Sequence, residues 1–230
     1  QKHYTEKLIK LTGLSVDYDA PRKILIENLD TKKDIDKDKT IFLSLQSNYK
    51  LLPQHDNIYF EIIKKNPKCI FWFIGEKNDL ISDKFKERIF LLCKKNNISL
   101  DNFFYFYPQM PYHNYLDLIS RSDIILDSLD WSGFNTSLDA ISLNKPIVTL
   151  PSNFMRGRHT YAILKTLKID ELISNSKKNY VDLAYKLSTD FIFLNNVIEK
   201  IKKNKKLLFN NLQSTKSLEN FLQSLFKTKR

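Results

Sequence analysis

Apolar runs of strand length alternate with amphipathic stretches along most of the chain. Residues 41–45 (IFLSL) form a nearly continuous apolar run. This predicts a strand buried on both faces, where the usual in–out alternation is lost. Residues 57–65 carry Ile58, Phe60, Ile62 and Ile63 among polar neighbours and predict a helix. The run CIFWFI at 69–74 predicts a second strand, stopped by Gly75. At 82–96, Phe85, Ile89, Leu92 and Cys93 recur at spacings of three and four, the period of a helix. The same reading gives strands at 103–107, 123–126 and 146–150, with helices at 112–120, 135–143 and 157–167. Beyond residue 175 the pattern is helical throughout, at 178–189, 191–204 and 206–227. Ahead of the first strand, 23–28 reads as a short strand and 31–39 as a charged loop.

Strand–helix–strand repetition predicts an α/β fold, a doubly wound parallel sheet with helices on both faces and further helices at the C-terminus. In the common strand order 3-2-1-4-5 the crossovers from the first and fourth strands leave in opposite directions. The crevice at that switch point is where such sheets bind ligands. Three loops then converge on one sheet edge: 46–50, 127–134 and 151–158.

Composition narrows the class. The 230 residues are 42% hydrophobic, which excludes a disordered chain, and no run approaches the ~18 apolar residues of a membrane span. The net charge is +11, but its placement argues against a nucleic-acid binder. Of that charge, +7 sits after residue 198 in a Lys-rich tail, and only six of the 37 basic residues are arginine. Such a tail reads as a solvated basic helix, not as a groove-lining patch. Two cysteines, Cys69 and Cys93, make neither a zinc site nor a disulfide framework and suggest a reducing compartment, the cytoplasm. The chain opens Gln1-Lys2-His3-Tyr4 with no signal peptide, which reads as a piece of something longer.

The three loops carry mutually compatible chemistry. Gly133 precedes a helix opening Asn135-Thr136-Ser137. A helix N-terminus there would offer free N–H groups and positive charge to a phosphate, with the two hydroxyls as added donors. Gly133 allows close backbone approach. Lys50, Arg156 and Arg158 supply positive charge for a diphosphate. Asp139, one turn into the helix, is an acceptor suited to ribose hydroxyls. Neither a Walker loop nor a GxGxxG fingerprint is present. Taken singly, Asn135-Thr136 also reads as an ordinary helix cap and Asp139 as a solvated helix residue. Asp127 and Asp130 read as loop acceptors.

Residues 127–173, containing DSLDWSGFNTSLDAI and PIVTLPSNFMRGR, resemble the C-terminal lobe of the O-GlcNAc transferase/Spindly glycosyltransferase family, in particular bacterial members fused to tetratricopeptide repeats. QSNYKLLPQHD at 46–56 resembles that family's glutamine–lysine loop, and HYTEKL at 3–8 its interlobe link. The resemblance implies a GT-B fold, two Rossmann-like lobes, of which this chain is the donor-binding one. Residues 1–40 would hold the interlobe linker and the start of the lobe, 41–175 the nucleotide-sugar-binding lobe, and 176–230 helices packing on this lobe or its partner.

The resemblance also implies roles. Lys50 would contact the donor diphosphate and stabilise the leaving group, with Gln46 beside it at a spacing one residue different from the animal enzymes. Pro108, Gln109, Met110 and His113 fall where the family holds the nucleotide base, and Met110 stands where the animal enzymes carry lysine. Gly133, Asn135, Thr136 and Ser137 would cradle the diphosphate, with Phe134 in place of a histidine. Asp139 would hold the ribose, and Arg158, close to Arg156, matches a family arginine near the donor. The implied activity is metal-independent transfer of a sugar, GlcNAc from UDP-GlcNAc, to a protein or other hydroxyl acceptor, without a resident cofactor. The expected partners are the nucleotide sugar, the acceptor, an N-terminal lobe and tetratricopeptide repeats. The alternatives are a nucleotide-binding fragment without catalysis and a sugar-nucleotide epimerase, for which only His113 and His159 are at hand. The apolar positions Leu218, Phe221, Leu222 and Leu225 of the last helix would face the other lobe.

Overall fold

The structure is a computed structural model that describes residues 5–14, 16–20, 38–77, 79–209 and 211–227. The short strand at 23–28, most of the loop at 31–39 and the start of the segment at 3–8 lie outside the described residues.

Among the described residues, five strands form one parallel sheet: β1 (Thr40–Ser44), β2 (Cys69–Ile74), β3 (Phe104–Tyr107), β4 (Ile124–Leu126) and β5 (Ile147–Val148). Their order is β3-β2-β1-β4-β5, the doubly wound order expected from the sequence. Phe42 pairs with Phe71 on one side and with Ile124 on the other, which makes β1 the central strand.

The aromatic strand residues explain how the first face closes. Phe42, Phe71 and Phe104 lie across three neighbouring strands and stack with ring centroids 5.4 Å apart at both steps. Tyr59 of helix α1 (Asn57–Lys65) meets Phe71 and Phe73 edge-on at 5.3 Å. Phe85 of α2 (Asp79–Lys95) meets Phe73 at 5.0 Å and Phe106 at 6.0 Å. Offset and edge-to-face pairs of this kind add to the burial energy of each ring. With right-handed crossovers, the reversal of direction after β3 puts α4 (Tyr112–Arg121) and α5 (Asn135–Ser142) on the opposite face. The edge of β5 is covered: Thr149 bridges Ile173, with Ser174 N–H donating back to Thr149 O at 2.8 Å.

Element boundaries shift where tertiary contacts outweigh the local pattern. A short helix, α3 (Leu100–Phe103), takes the first residue of the expected third strand. Helix α6 begins at His159 (His159–Leu167), because Met155–Gly157 tightens into a 3-10 turn. After α7 (Lys177–Thr189) and α8 (Phe191–Asn204), the helix expected over 206–227 does not run through. Leu208 and Phe209 are buried, and Phe209 forms a bridge with Tyr18. Asn211 donates to Leu207 O and accepts from Gln213 N–H, bonds that compete with helix continuation. The last helix, α9, is therefore Gln213–Lys227. Its Leu218, Leu222 and Leu225 are exposed, while Phe221 is half-buried. Among the described residues no helix is long and apolar enough to cross a membrane.

Candidate functional site

Because β1 and β4 are neighbours, the loops after β1, β4 and β5 share one crevice at the C-terminal edge of the sheet. After β1 the chain tightens into a 3-10 turn, Asn48–Lys50. Buried Asn48 fixes it to the end of β2. Its side-chain amide donates to Ile74 O at 3.0 Å and its backbone N–H to Glu76 Oε1 at 2.8 Å. Gln46, also buried, spans the crevice: Nε2 donates to Thr136 Oγ1 at 2.6 Å, and Oε1 accepts from Lys50 Nζ at 3.2 Å. A second link joins the same two loops, His55 Nε2 to Asp130 Oδ2 at 2.8 Å.

Helix α5 opens on this crevice without a cap. Phe134 holds the cap position, and no side chain accepts from the backbone N–H groups of the first turn. Leu138 N–H is the first to find a partner, Phe134 O at 2.9 Å. The N–H groups of Asn135, Thr136 and Ser137 therefore lie at an open helix end, which attracts anions. The ordinary-cap reading of Asn135-Thr136 is not what forms. Gly133 lies directly beneath: a Cβ there would stand 2.6 Å from both Ser137 Oγ and Thr136 Oγ1, and 2.7 Å from Gln46 Nε2.

Asp127 anchors this loop. Its Oδ1 accepts Gly133 N–H at 2.8 Å, and its Oδ2 accepts the hydroxyls of Ser132 and Thr149, each at 2.7 Å. Burial pushes the Asp127 carboxyl above the usual range, and these donors oppose the shift. Thr160 Oγ1 closes the network, 2.9 Å from Ser132 Oγ and 2.8 Å from Ser137 Oγ. The Ser137 hydroxyl thus faces inward, not into the crevice as the sequence suggested. What Ser137 presents outward is its N–H. Asp127 and Asp130 both act as loop acceptors, as read from the sequence.

Charge gathers at the rim. The Lys50 ammonium and the Arg156 guanidinium lie 5.8 and 5.3 Å from the centroid of the exposed Trp131 ring, both within cation–π range. Arg156 also lies 4.7 Å from the Phe154 ring. Arg158 is exposed and occupies the cap position of α6, whose first residue, His159, packs its ring 5.2 Å from Phe134.

Asp139 is only 4% exposed, so it is not a solvated helix residue. Its Oδ1 accepts two phenol hydroxyls, Tyr18 at 2.8 Å and Tyr112 at 2.7 Å. Burial raises its carboxyl, and the two phenols hold the charged form against that shift. Tyr112 follows the 108–110 segment, where Pro108 and Gln109 are exposed and Met110 packs half-buried against the core. His113 is exposed beside it. Tyr112 thereby ties the segment expected to hold the base to the carboxylate expected to hold the ribose.

Residues 10–218 match the family model described as Glycosyl transferase family 41. The chain belongs to glycosyl transferase family 41. A Caenorhabditis elegans UDP-N-acetylglucosamine–peptide N-acetylglucosaminyltransferase is 22% identical over 211 residues, covering 91% of this chain and 18% of the relative. A Petunia hybrida protein, named as a probable enzyme of the same kind, SPINDLY, is 26% identical over 117 residues, half of this chain and 13% of its own length. The fold matches a Thermobaculum terrenum O-GlcNAc transferase mutant with a TM-score of 0.74 at 20% identity, over 99% of this chain and 42% of that one. This family 41 chain thus spans less than a fifth of these two curated relatives.

Within the family 41 frame the sequence singled out Gln46, Lys50, Gly133, Asn135, Thr136 and Asp139 at one crevice, and the structure brings them there. It did not single out Tyr18, His55, Trp131 or Thr160, nor Tyr112 as Asp139's partner. Each of these acts across a large sequence separation. The one local signal was a carboxylate, Asp127, directly after the buried strand at 124–126.

Proposed function

We propose that this family 41 chain is the donor-binding lobe of a GT-B glycosyltransferase that moves GlcNAc from UDP-GlcNAc to a hydroxyl of a protein or other acceptor. The observation that carries the reading is Gln46 bridging Lys50 and Thr136 at the uncapped N-terminus of α5. The activity for which the two relatives are named supports the donor and the acceptor class.

In this reading the diphosphate sits on the N–H groups of residues 135–137, over Gly133. As the bond from the sugar carbon to the β-phosphate oxygen breaks, its electron pair stays on that oxygen. The new bond joins the acceptor oxygen to the same carbon, and the acceptor's proton leaves to a base outside this chain. Charge growing on the phosphate meets Lys50, the helix end and Arg156, groups already oriented toward it. Donors fixed in advance favour the transition state over the ground state. This set of cations and N–H groups supplies neutralisation without a metal. Asp139 takes the ribose hydroxyls, and residues 108–113 face the base. Arg158 lies near the donor. The remaining partners are an N-terminal lobe that carries the acceptor and, beyond it, tetratricopeptide repeats. Catalysis requires that lobe, so the 230-residue chain alone binds nucleotide and does not turn over. Its buried free thiols, Cys69 and Cys93, suit a reducing compartment such as the cytoplasm.

The test is calorimetric titration with UDP, then GDP, each with and without magnesium. UDP binding that is indifferent to magnesium is the expected result. A preference for GDP would replace the base, magnesium dependence would remove the metal-free mechanism, and binding of neither nucleotide would overturn the reading.

A further inference from the structure

The segment at 16–20 belongs to no strand of the sheet, yet its tyrosine reaches the proposed nucleotide site. Tyr18 donates to Asp139 Oδ1 at 2.8 Å across 121 residues of sequence. The ring is held from behind by Phe209, through a backbone bridge and a tilted ring contact at 6.3 Å. Further back, Thr12 N–H donates to Ser217 Oγ at 3.1 Å. Gly13, at a φ of +87°, lies so close to α9 that a Cβ would meet Ser214 Oγ at 2.3 Å. The N-terminal segment therefore lies along the C-terminal elements and ends on a carboxylate of α5.

Two features make that contact more than packing. The first is that Tyr18 and Tyr112 donate to the same oxygen. Two donors converging on Oδ1 from different elements fix the rotation of the carboxylate about its side chain, and so fix where Oδ2 points. The second is that Asp139 is a buried acid whose charged form needs donors. Removing one of them loosens both its orientation and its charge. The surrounding groups reinforce this: Tyr115, on the same helix as Tyr112, has its hydroxyl buried without a hydrogen-bond partner. It makes no hydrogen bond to Asp139, so the donation rests on Tyr18 and Tyr112.

We infer that Tyr18 is a positioning residue for nucleotide binding. It orients Asp139 toward the ribose, and so ties affinity for the nucleoside part of the donor to the seating of residues 12–14 and 16–20 on the C-terminal elements. The inference rests on the donor-lobe reading above. Tyr18 touches Asp139, not the reacting atoms, and acts through it.

Tyr18→Phe removes the hydroxyl and keeps the ring that packs on Phe209, so the fold is retained. The experiment titrates the 230-residue chain and this variant with UDP and with its 2′,3′-dideoxy analogue. The variant is expected to lose five- to tenfold in affinity for UDP and to bind the dideoxy analogue as the parent does. In an Asp139→Asn background, Tyr18→Phe is expected to change UDP affinity by less than twofold. Equal losses for UDP and the analogue would mean general loosening and would overturn the inference. So would unchanged UDP affinity, or a full loss persisting in the Asp139→Asn background. Failure of the parent chain to bind UDP or GDP would instead overturn the donor-lobe reading, and the inference with it.

Discussion

Gln46 donates its side-chain amide to Thr136 at 2.6 Å, joining the loop after β1 to the first turn of α5. The other end of the same amide receives Lys50. One side chain thus sets the distance between a cation and an open helix end. Lys50→Ala in the complete enzyme is expected to lower kcat by ~10²-fold or more, the usual loss when a donor to developing charge is removed. Gln46→Ala should produce a smaller loss in the same direction, because Lys50 keeps its charge but not its tether. An unchanged kcat at saturating donor would end the leaving-group role of Lys50.

Gly133 has no room for a side chain. A Cβ would sit 2.6–2.7 Å from Ser137 Oγ, Thr136 Oγ1 and Gln46 Nε2. Gly133→Ala must displace these groups, and overpacking of this kind costs about 1–3 kcal/mol. The expected outcome is a lowered Tm together with at least a tenfold loss of UDP affinity, measured by thermal melts and titration. A variant that binds UDP normally would show that the crowded geometry does not serve the ligand.

Asp127 is buried and accepts from three donors. Asp127→Asn keeps the shape and turns one acceptor into an NH₂ group facing donors. A buried polar group left unsatisfied costs about 1–3 kcal/mol. Urea unfolding should show that loss with little change in slope. Asp127→Ala should do worse, since the Gly133 N–H and two hydroxyls are then left without their acceptor.

The Asp139 carboxyl is raised from its ordinary value of 3.8, burial being the main cause. Nucleotide binding in the proposed mode needs its charged form. As pH falls through the raised pKa, Asp139 takes up a proton while the value for an ordinary carboxyl still lies below. UDP affinity is therefore expected to fall at a higher pH than an unperturbed aspartate would give. The UDP phosphate titrates near pH 6 as well, so the diagnostic quantity is the difference between the parent chain and Asp139→Asn. Parallel pH profiles for the two would remove Asp139 from the binding site.

The buried thiols offer a check on the fold itself. Burial pushes Cys69 up to about 12 and Cys93 up to about 11. Only the thiolate reacts readily with alkylating agents. At pH 8 the native chain should resist iodoacetamide for hours, and the urea-unfolded chain should take up two equivalents. Rapid labelling of the native chain would contradict the packing of β2 and α2.

Much of this molecule was legible before any coordinates. Five apolar runs and the helices between them gave the sheet, and the order of elements gave its switch point. The physical reason is that burial on both faces leaves a local signature, a continuous apolar stretch of four to six residues, shorter than most helices, with turn residues such as Gly75 and Pro108 marking where a strand ends. Gly133 was legible because only four glycines occur, and Lys50 because it follows the first strand at the switch point. The helix that breaks at Leu208 and Phe209 was not. Phe209 is held by its bridge to Tyr18, nearly two hundred residues away, and Asn211 turns its side chain onto neighbouring backbone.

The inner network shows the same division more sharply. The sequence by itself determined that carboxylates and hydroxyls crowd the segment 127–139 and that hydroxyls recur at 149, 152 and 160. It did not determine which of them face the crevice. Ser137 turns inward to Thr160, Gln46 turns across to Thr136, and Asp139 is shared by Tyr18 and Tyr112. Local patterning reports whether a residue is buried, because burial follows from period and polarity. Hydrogen-bond partners are chosen among groups distant in sequence, under the requirement that each buried polar atom be satisfied. Only the tertiary structure imposes that choice.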